Sequence, residues 1–280
     1  MSNTYSSSLV TQMLADGFIS TAQNRLAPFT SASRNFGTDP LKPLAIVQVP
    51  LASSGATTLT NPTSFGGGNS TVSNVQVTVS HYHQPFHVSH TDLQSGMRLE
   101  QIIRVNVGKF CDKLMDVFLT PVTTTNFTNT PITAAAATFD IEDLRALYNT
   151  IKKATTKSII LDSDYYAQFA VQNDTQNRGV SVTGWGSFYE STRWDGAGSN
   201  VRGFAFGEDA LAMAAGPTLV APNAGEAGLI ESSITLPGIG LTVQSFQWFD
   251  VATRNLNASF DVMFGCSAGD TTVGAIVKSA

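Results

Sequence analysis

The sequence predicts an α+β fold organised around one long helix. Three observations predict it. Two strand-like runs, Leu44–Leu51 and Thr71–Val79, flank a tip rich in Gly, Ser and Thr. A helical period takes over at Thr91 and lasts to residue 119, and the chain returns to strands after residue 240.

Composition bounds what such a fold can do. The chain has 280 residues, enough for one large domain or two intertwined ones, and 42% of them are hydrophobic, so it can bury a core. Only 13% are charged, against about 25% in an ordinary soluble domain. Ser, Thr, Asn, Gln and Gly take their place, which suggests a surface that lies against copies of itself. With 16 basic and 21 acidic side chains and a net charge of −5, strong nucleic-acid affinity is not expected, because phosphate binding needs clustered Lys and Arg. No apolar run reaches the ~18 residues of a membrane span. The N-terminus lacks the basic region of a signal peptide, so the protein is expected to stay where it is made. Cys111 and Cys266 are too few for a disulfide framework and read as reduced core thiols.

The elements follow in order. Residues 1–43 read as an arm: short apolar stretches punctuated by Ser and Thr, with Pro28, Pro40 and Pro43 breaking any long element. Residues 43–91 contain no Asp, Glu, Lys or Arg, 49 consecutive residues. The two runs inside that stretch read as a long hairpin, Val75, Val77 and Val79 alternating on one face. An isolated hairpin is marginal in water, so this one is expected to rest on something outside its own core.

From Thr91, a plausible N-cap, apolar residues recur at Leu93, Met97, Ile103, Val107, Phe110, Leu114 and Val117, and Pro121 follows the end. Gly96 and Gly108 weaken the helix by propensity and point to close packing or a bend. Asp140 caps a second amphipathic helix ending at Lys152 and Lys153. A strand over Ser158–Leu161, a short helix over Asp164–Ala170, a strand near Val180–Trp185, an extended FYES and a helix over Gly207–Ala214 come next. The closing strands are Leu241–Val251, Ala258–Gly265 and Thr272–Val277. The block 158–240 carries nine acidic and three basic residues.

Catalytic signatures are missing. There is no G-x-S-x-G elbow, no P-loop and no G-x-G-x-x-G, and Gly66–Gly68 opens no helix. Asp162 and Asp164 read as turn and capping residues in preference to a metal pair. All four histidines fall in HYHQPFHVSH, where His81, His83 and His87 share one face of a strand. That is metal-ligand geometry in principle, yet a straight strand spreads 81 and 87 about 20 Å apart. No acidic residue lies between Asp39 and Asp92 to complete a site. The reading is therefore no catalytic residue, no cofactor and no metal, with His81, His83 and His87 as the weaker metal alternative.

This layout resembles the major capsid protein of tailed bacteriophages, the family named after phage Hong Kong 97, whose fold encapsulin shells share. Residues 1–43 resemble its N-arm, 44–90 its extended loop, and 91–135 the peripheral domain with its spine helix. FDIEDLRALYNTIKKA, SIILDSDYYAQFA and GFAFGEDALAMA place 136–240 as the axial domain. WFDVATRNLNASFDVMFGCSAGDTTVGAIV places 241–280 as the closing peripheral-domain strands. The resemblance implies a structural protein, not an enzyme, that assembles with itself through pentamers and hexamers into an icosahedral shell. It implies packaged double-stranded DNA held non-specifically, scaffolding, portal and decoration proteins as partners, and no membrane. The place would be the virion capsid, assembled in the host bacterial cytoplasm. Two alternatives stand beside it: an encapsulin-like compartment, and an α+β enzyme using the histidine cluster. Some members join a loop lysine covalently to a neighbour's asparagine. Here Lys42 precedes the loop and Lys109 lies in the helix, so Asn255 and Asn257 lack a partner amine and a non-covalent shell is expected.

Overall fold

The computed structural model describes residues 7–54, 70–89, 96–170, 184–194, 200–219 and 229–280. Its first element corrects the expectation of a broken arm: α1 is a continuous helix, Ser7–Arg25. Val10, Leu14, Phe18, Ala22 and Leu26 fall four residues apart and are buried. The polar residues between them dilute this row in the sequence. It packs against α2, Gly96–Leu119, whose Leu99, Ile103, Val107, Cys111 and Met115 form a second row of the same spacing. Rows at i±4 are the ridges that interlock when two helices cross. Gly17 lets the crossing close, since a Cβ there would lie 2.8 Å from Ile103 Cγ2. The anticipated helix is thus present, with Ile103, Val107, Phe110 and Leu114 buried. Its proposed start, Thr91–Leu93, lies outside the described residues. No described helix is long and apolar enough to cross a membrane.

Both helices lie on one face of a six-stranded sheet. Its strands are β1 (Ser33–Phe36), β4 (Ser80–Ser89), β9 (Leu211–Gly216), β10 (Ile230–Thr235), β11 (Thr242–Asp250) and β12 (Asn255–Ala268). The long β12 organises it: β4 runs antiparallel along one edge, while β11 and then β9 share the other. Strand alternation sends Ala258, Phe260, Val262 and Phe264 into the helices, where Phe18 and Phe260 rings lie 5.0 Å apart. Ser259, Asp261 and Met263 point the other way.

That second face carries the hairpin, β2 (Ile46–Ser54) paired antiparallel with β3 (Ser70–Thr78) from Ile46↔Thr78 to Ser54↔Ser70. For this inner half the support outside the hairpin's own core comes from the large sheet of the same chain. Val49, Val77 and Val79 are buried against Ala212, Ala214 and Met263 of the same chain. Small residues make the seat possible: a Cβ on Gly265 would strike the Thr78 carbonyl. The tip, 55–69, with Gly66–Gly68, lies outside the described residues. β4, the last strand before residue 90, pairs with β12 in the large sheet and not with the hairpin.

A five-stranded sheet follows the order β5 (Ile132–Thr133), β13 (Gly274–Lys278), β8 (Val201–Gly207), β6 (Lys157–Asp162) and β7 (Ser187–Ser191). One face meets α3 (Ile141–Thr150) and α4 (Ser163–Ala170) through Leu144, Leu147, Ile159, Tyr165 and Phe169. The other joins the main core through Ile160, Phe204, Phe206 and Ile276. Asp140 caps α3 as expected, its carboxylate accepting from the Glu142 and Asp143 amides in a full capping box.

One further reading changes. The helix expected over Gly207–Ala214 is a single 3-10 turn, Glu208–Ala210, leading into β9. LAMAAG is buried throughout between β1 and β12, and tertiary pairing overrides its helical propensity. β9 and β10, before residue 240, pair into the large sheet with β11 and β12, while β13, after it, lies in the small one. The strand expected near Val180–Trp185 lies mostly outside the described residues.

Candidate functional site

Strand β4 alternates without interruption. Tyr82, Phe86 and Val88 turn toward the helices, and His81, His83, Pro85 and His87 turn to the hairpin side, where they are exposed. On β12, Asp261 stands directly opposite His83, with Met263 opposite His81 and Asn257 opposite His87. The buried Asp261 carboxylate therefore collects both nearer rings: His81 Nε2 lies 2.8 Å from Oδ2, and His83 Nδ1 lies 2.9 Å from the same oxygen. Ser259 Oγ donates to Oδ1 at 2.7 Å. An ionised carboxylate only accepts, so His81 must donate from Nε2 and His83 from Nδ1.

Of the three histidines singled out by sequence, two are brought together and the third is not. His87 sits four residues beyond His83, about 13 Å along the strand. Sequence reasoning missed Asp261, the residue that makes the cluster. Its available signal was an isolated acid inside the apolar run SFDVMF. Asp162 and Asp164 behave as turn residues: Asp162 Oδ1 accepts from the Asp164 amide and Oδ2 from Arg202.

The cluster opens on a cavity of about 360 Å³ whose walls include Leu41, Pro43, Leu229, Phe246, Trp248 and Met263. A larger cavity, about 610 Å³, lies beside Asp116 and Arg193, but those charges are spent on each other. The hairpin root also presents Leu44 at 73% exposure in a left-handed conformation, φ 64°, with Ile46 beside it at 59%. A second exposed apolar pair, Phe249 and Val251, marks the end of β11.

No protein-family model matches the chain, and no curated protein matches it. Solved structures do. A virus-like particle from Pyrococcus furiosus is similar over 96% of this chain and 98% of its own, at 10% identity and a TM-score of 0.56. A structure from Gordonia phage Cozz is similar over 92% of this chain and 87% of its own, at 16% identity and a TM-score of 0.53. The mature capsid of bacteriophage PhiM1 is similar over 90% and 86%, at 9% identity and a TM-score of 0.52. The fold is that of the Hong Kong 97-type capsid proteins.

Proposed function

We propose that this chain is a shell-forming structural protein, the major capsid protein of a tailed bacteriophage. The observation that carries the reading is the likeness along nearly the whole chain to phage structures, Gordonia phage Cozz over 92% of this chain and the mature capsid of PhiM1 over 90%. In the proposed assembly the subunits form rings of five and six that close an icosahedral shell around double-stranded DNA in the virion, built in the bacterial cytoplasm. Residues 91–135 with 241–280 form the peripheral domain and 136–240 the axial domain nearer each ring's centre.

Physical features support self-association. Leu44, Ile46, Phe249 and Val251 expose apolar surface that a neighbour would cover. Among the described residues β10 is an edge strand of the large sheet, a place for strand addition. The uncharged tip beyond Ser54 would lie across an adjacent subunit. Scaffolding, portal and decoration proteins complete the set of partners, and contacts stay non-covalent because the loop carries no lysine.

The virus-like particle supports a second reading, an encapsulin-like compartment that would hold protein cargo. Sedimentation of the expressed chain followed by analysis of particle contents tests both. Fast-sedimenting particles filled with DNA fit the capsid, and genome-free particles holding a co-purifying enzyme fit the compartment. A chain that stays slow-sedimenting under every assembly condition, its scaffold included, contradicts both.

A further inference from the structure

We infer that His81, His83 and Asp261 form a binding site for a divalent transition-metal ion of the zinc class, set where the hairpin strand β4 meets β12. Each residue offers one ligand atom, and the three atoms lie within 4.8 Å of one another. His81 Nε2 and His83 Nδ1 already converge on a single point, Asp261 Oδ2, at 2.8 and 2.9 Å.

Little has to move. Ligands about 2.0–2.1 Å from a tetrahedral ion stand about 3.4 Å from each other. Opening each N···O separation by about half an ångström, and bringing the two nitrogens, within 4.8 Å of each other, to the same spacing, admits the ion. Two half-exposed rings can make that shift by rotation. Asp261 stays fixed, because Ser259 holds its other oxygen at 2.7 Å and thereby acts as the outer partner that orients a metal-bound carboxylate. The register fixes the rest: His83 faces Asp261 directly, and His81 reaches it diagonally from the next position on that face.

The donor set selects the ion. Two imidazoles and one carboxylate suit zinc, cobalt, nickel or copper, whereas calcium and magnesium prefer oxygen ligands throughout. When the ion takes His81 Nε2 and His83 Nδ1, each neutral ring carries its proton on the other nitrogen, and the Asp261 charge leaves the filled site at +1. Three protein ligands leave a fourth position for water or a group entering the cavity. The apolar walls around it, Phe246, Trp248 and Leu41 among them, weaken competition from bulk solvent. This inference does not depend on shell assembly and can be tested on the unassembled chain.

Cobalt chloride is the probe, titrated into the purified full-length chain and followed by visible absorption. One cobalt per chain, with tetrahedral ligand-field bands that zinc displaces, is expected. His81→Ala and His83→Ala should each weaken binding at least about tenfold, as should Asp261→Asn, while His87→Ala leaves it unchanged. Losing the buried Asp261 charge could disturb folding, so the half-exposed histidine variants carry the test, with circular dichroism confirming their fold. Zinc should also raise the melting temperature of the unsubstituted chain and leave that of the His81→Ala/His83→Ala pair unmoved. Absence of stoichiometric cobalt, or binding that survives both histidine substitutions, overturns the assignment.

Discussion

Arg193 holds Asp116 with two hydrogen bonds, Nε to Oδ1 at 2.6 Å and Nη2 to Oδ2 at 2.7 Å. The fork joins the turn Thr192–Trp194, just after β7, to the last turns of α2, and so ties the small sheet to the long helix. Its bonds to Asp116 push the guanidinium pKa above its ordinary value. Lysine cannot reproduce the two-pronged geometry. Both side chains are about one-third exposed, so solvent screens the pair. Arg193→Lys should therefore destabilise the chain by about 1 kcal/mol. Urea unfolding in a double-mutant cycle with Asp116→Asn checks it; zero coupling would show that the fork contributes nothing.

Gly17 decides how closely the two helices approach. Alanine in mid-helix is intrinsically better than glycine by about 1 kcal/mol, but here its methyl would press on buried Ile103. Gly17→Ala should destabilise by about 1 kcal/mol. In an Ile103→Ala background, with the obstructing Cγ2 gone, the same substitution should stabilise. Thermal or urea melts of the four proteins decide, and a cost of equal size in both backgrounds would dismiss the contact.

Cys111 is fully buried on α2, and burial pushes its thiol up to about 12. Burial raises Cys266 as well. At pH 8 the fully buried Cys111 presents no thiolate, so a disulfide reagent should leave it unlabelled in the folded chain and label it in urea, while the half-buried Cys266 is distinguished by mapping the labelled peptide. The sign for stability follows. The neutral thiol is favoured by folding, so the Cys111 contribution is intact below pH 9 and declines from pH 9 toward pH 12. Cys111→Ser should flatten that alkaline loss, and rapid labelling of Cys111 in the native protein would contradict the buried placement.

The hairpin's seat and its tip should separate experimentally. Gly265→Ala forces a methyl against the Thr78 backbone, which should cost about 2 kcal/mol and speed amide exchange in β2 and β3. Removing the tip, residues 55–69, behind a short turn should change subunit stability by less than about 1 kcal/mol while blocking shell closure. Hydrogen exchange reads the first and particle yield the second. A tipless chain that assembles normally would mark the tip as dispensable.

Legibility in the sequence tracked how local each determinant is. The capping box at Asp140 and the closing strands were readable because their signals are contained within a few residues. The helix α1 was not, since its stripe of Val10, Leu14, Phe18 and Ala22 is narrow and surrounded by Ser, Thr and Gln. GEDALAMA carries helix formers at a position where pairing between β1 and β12 imposes a strand. The His81–His83–Asp261 cluster was half visible: the histidines lie together, but Asp261 joins them across 178 to 180 residues through a register no local pattern encodes. The return of β13 to pair with β8 is likewise a long-range contact that no local pattern encodes.

Electron microscopy of the purified chain, alone and co-expressed with its scaffold, bears most directly on shell assembly. Closed particles of uniform size built from rings of five and six, with hairpin density crossing onto the adjacent subunit, are the predicted result. Monomers or dimers on every grid, with no rings and no shells, would contradict it.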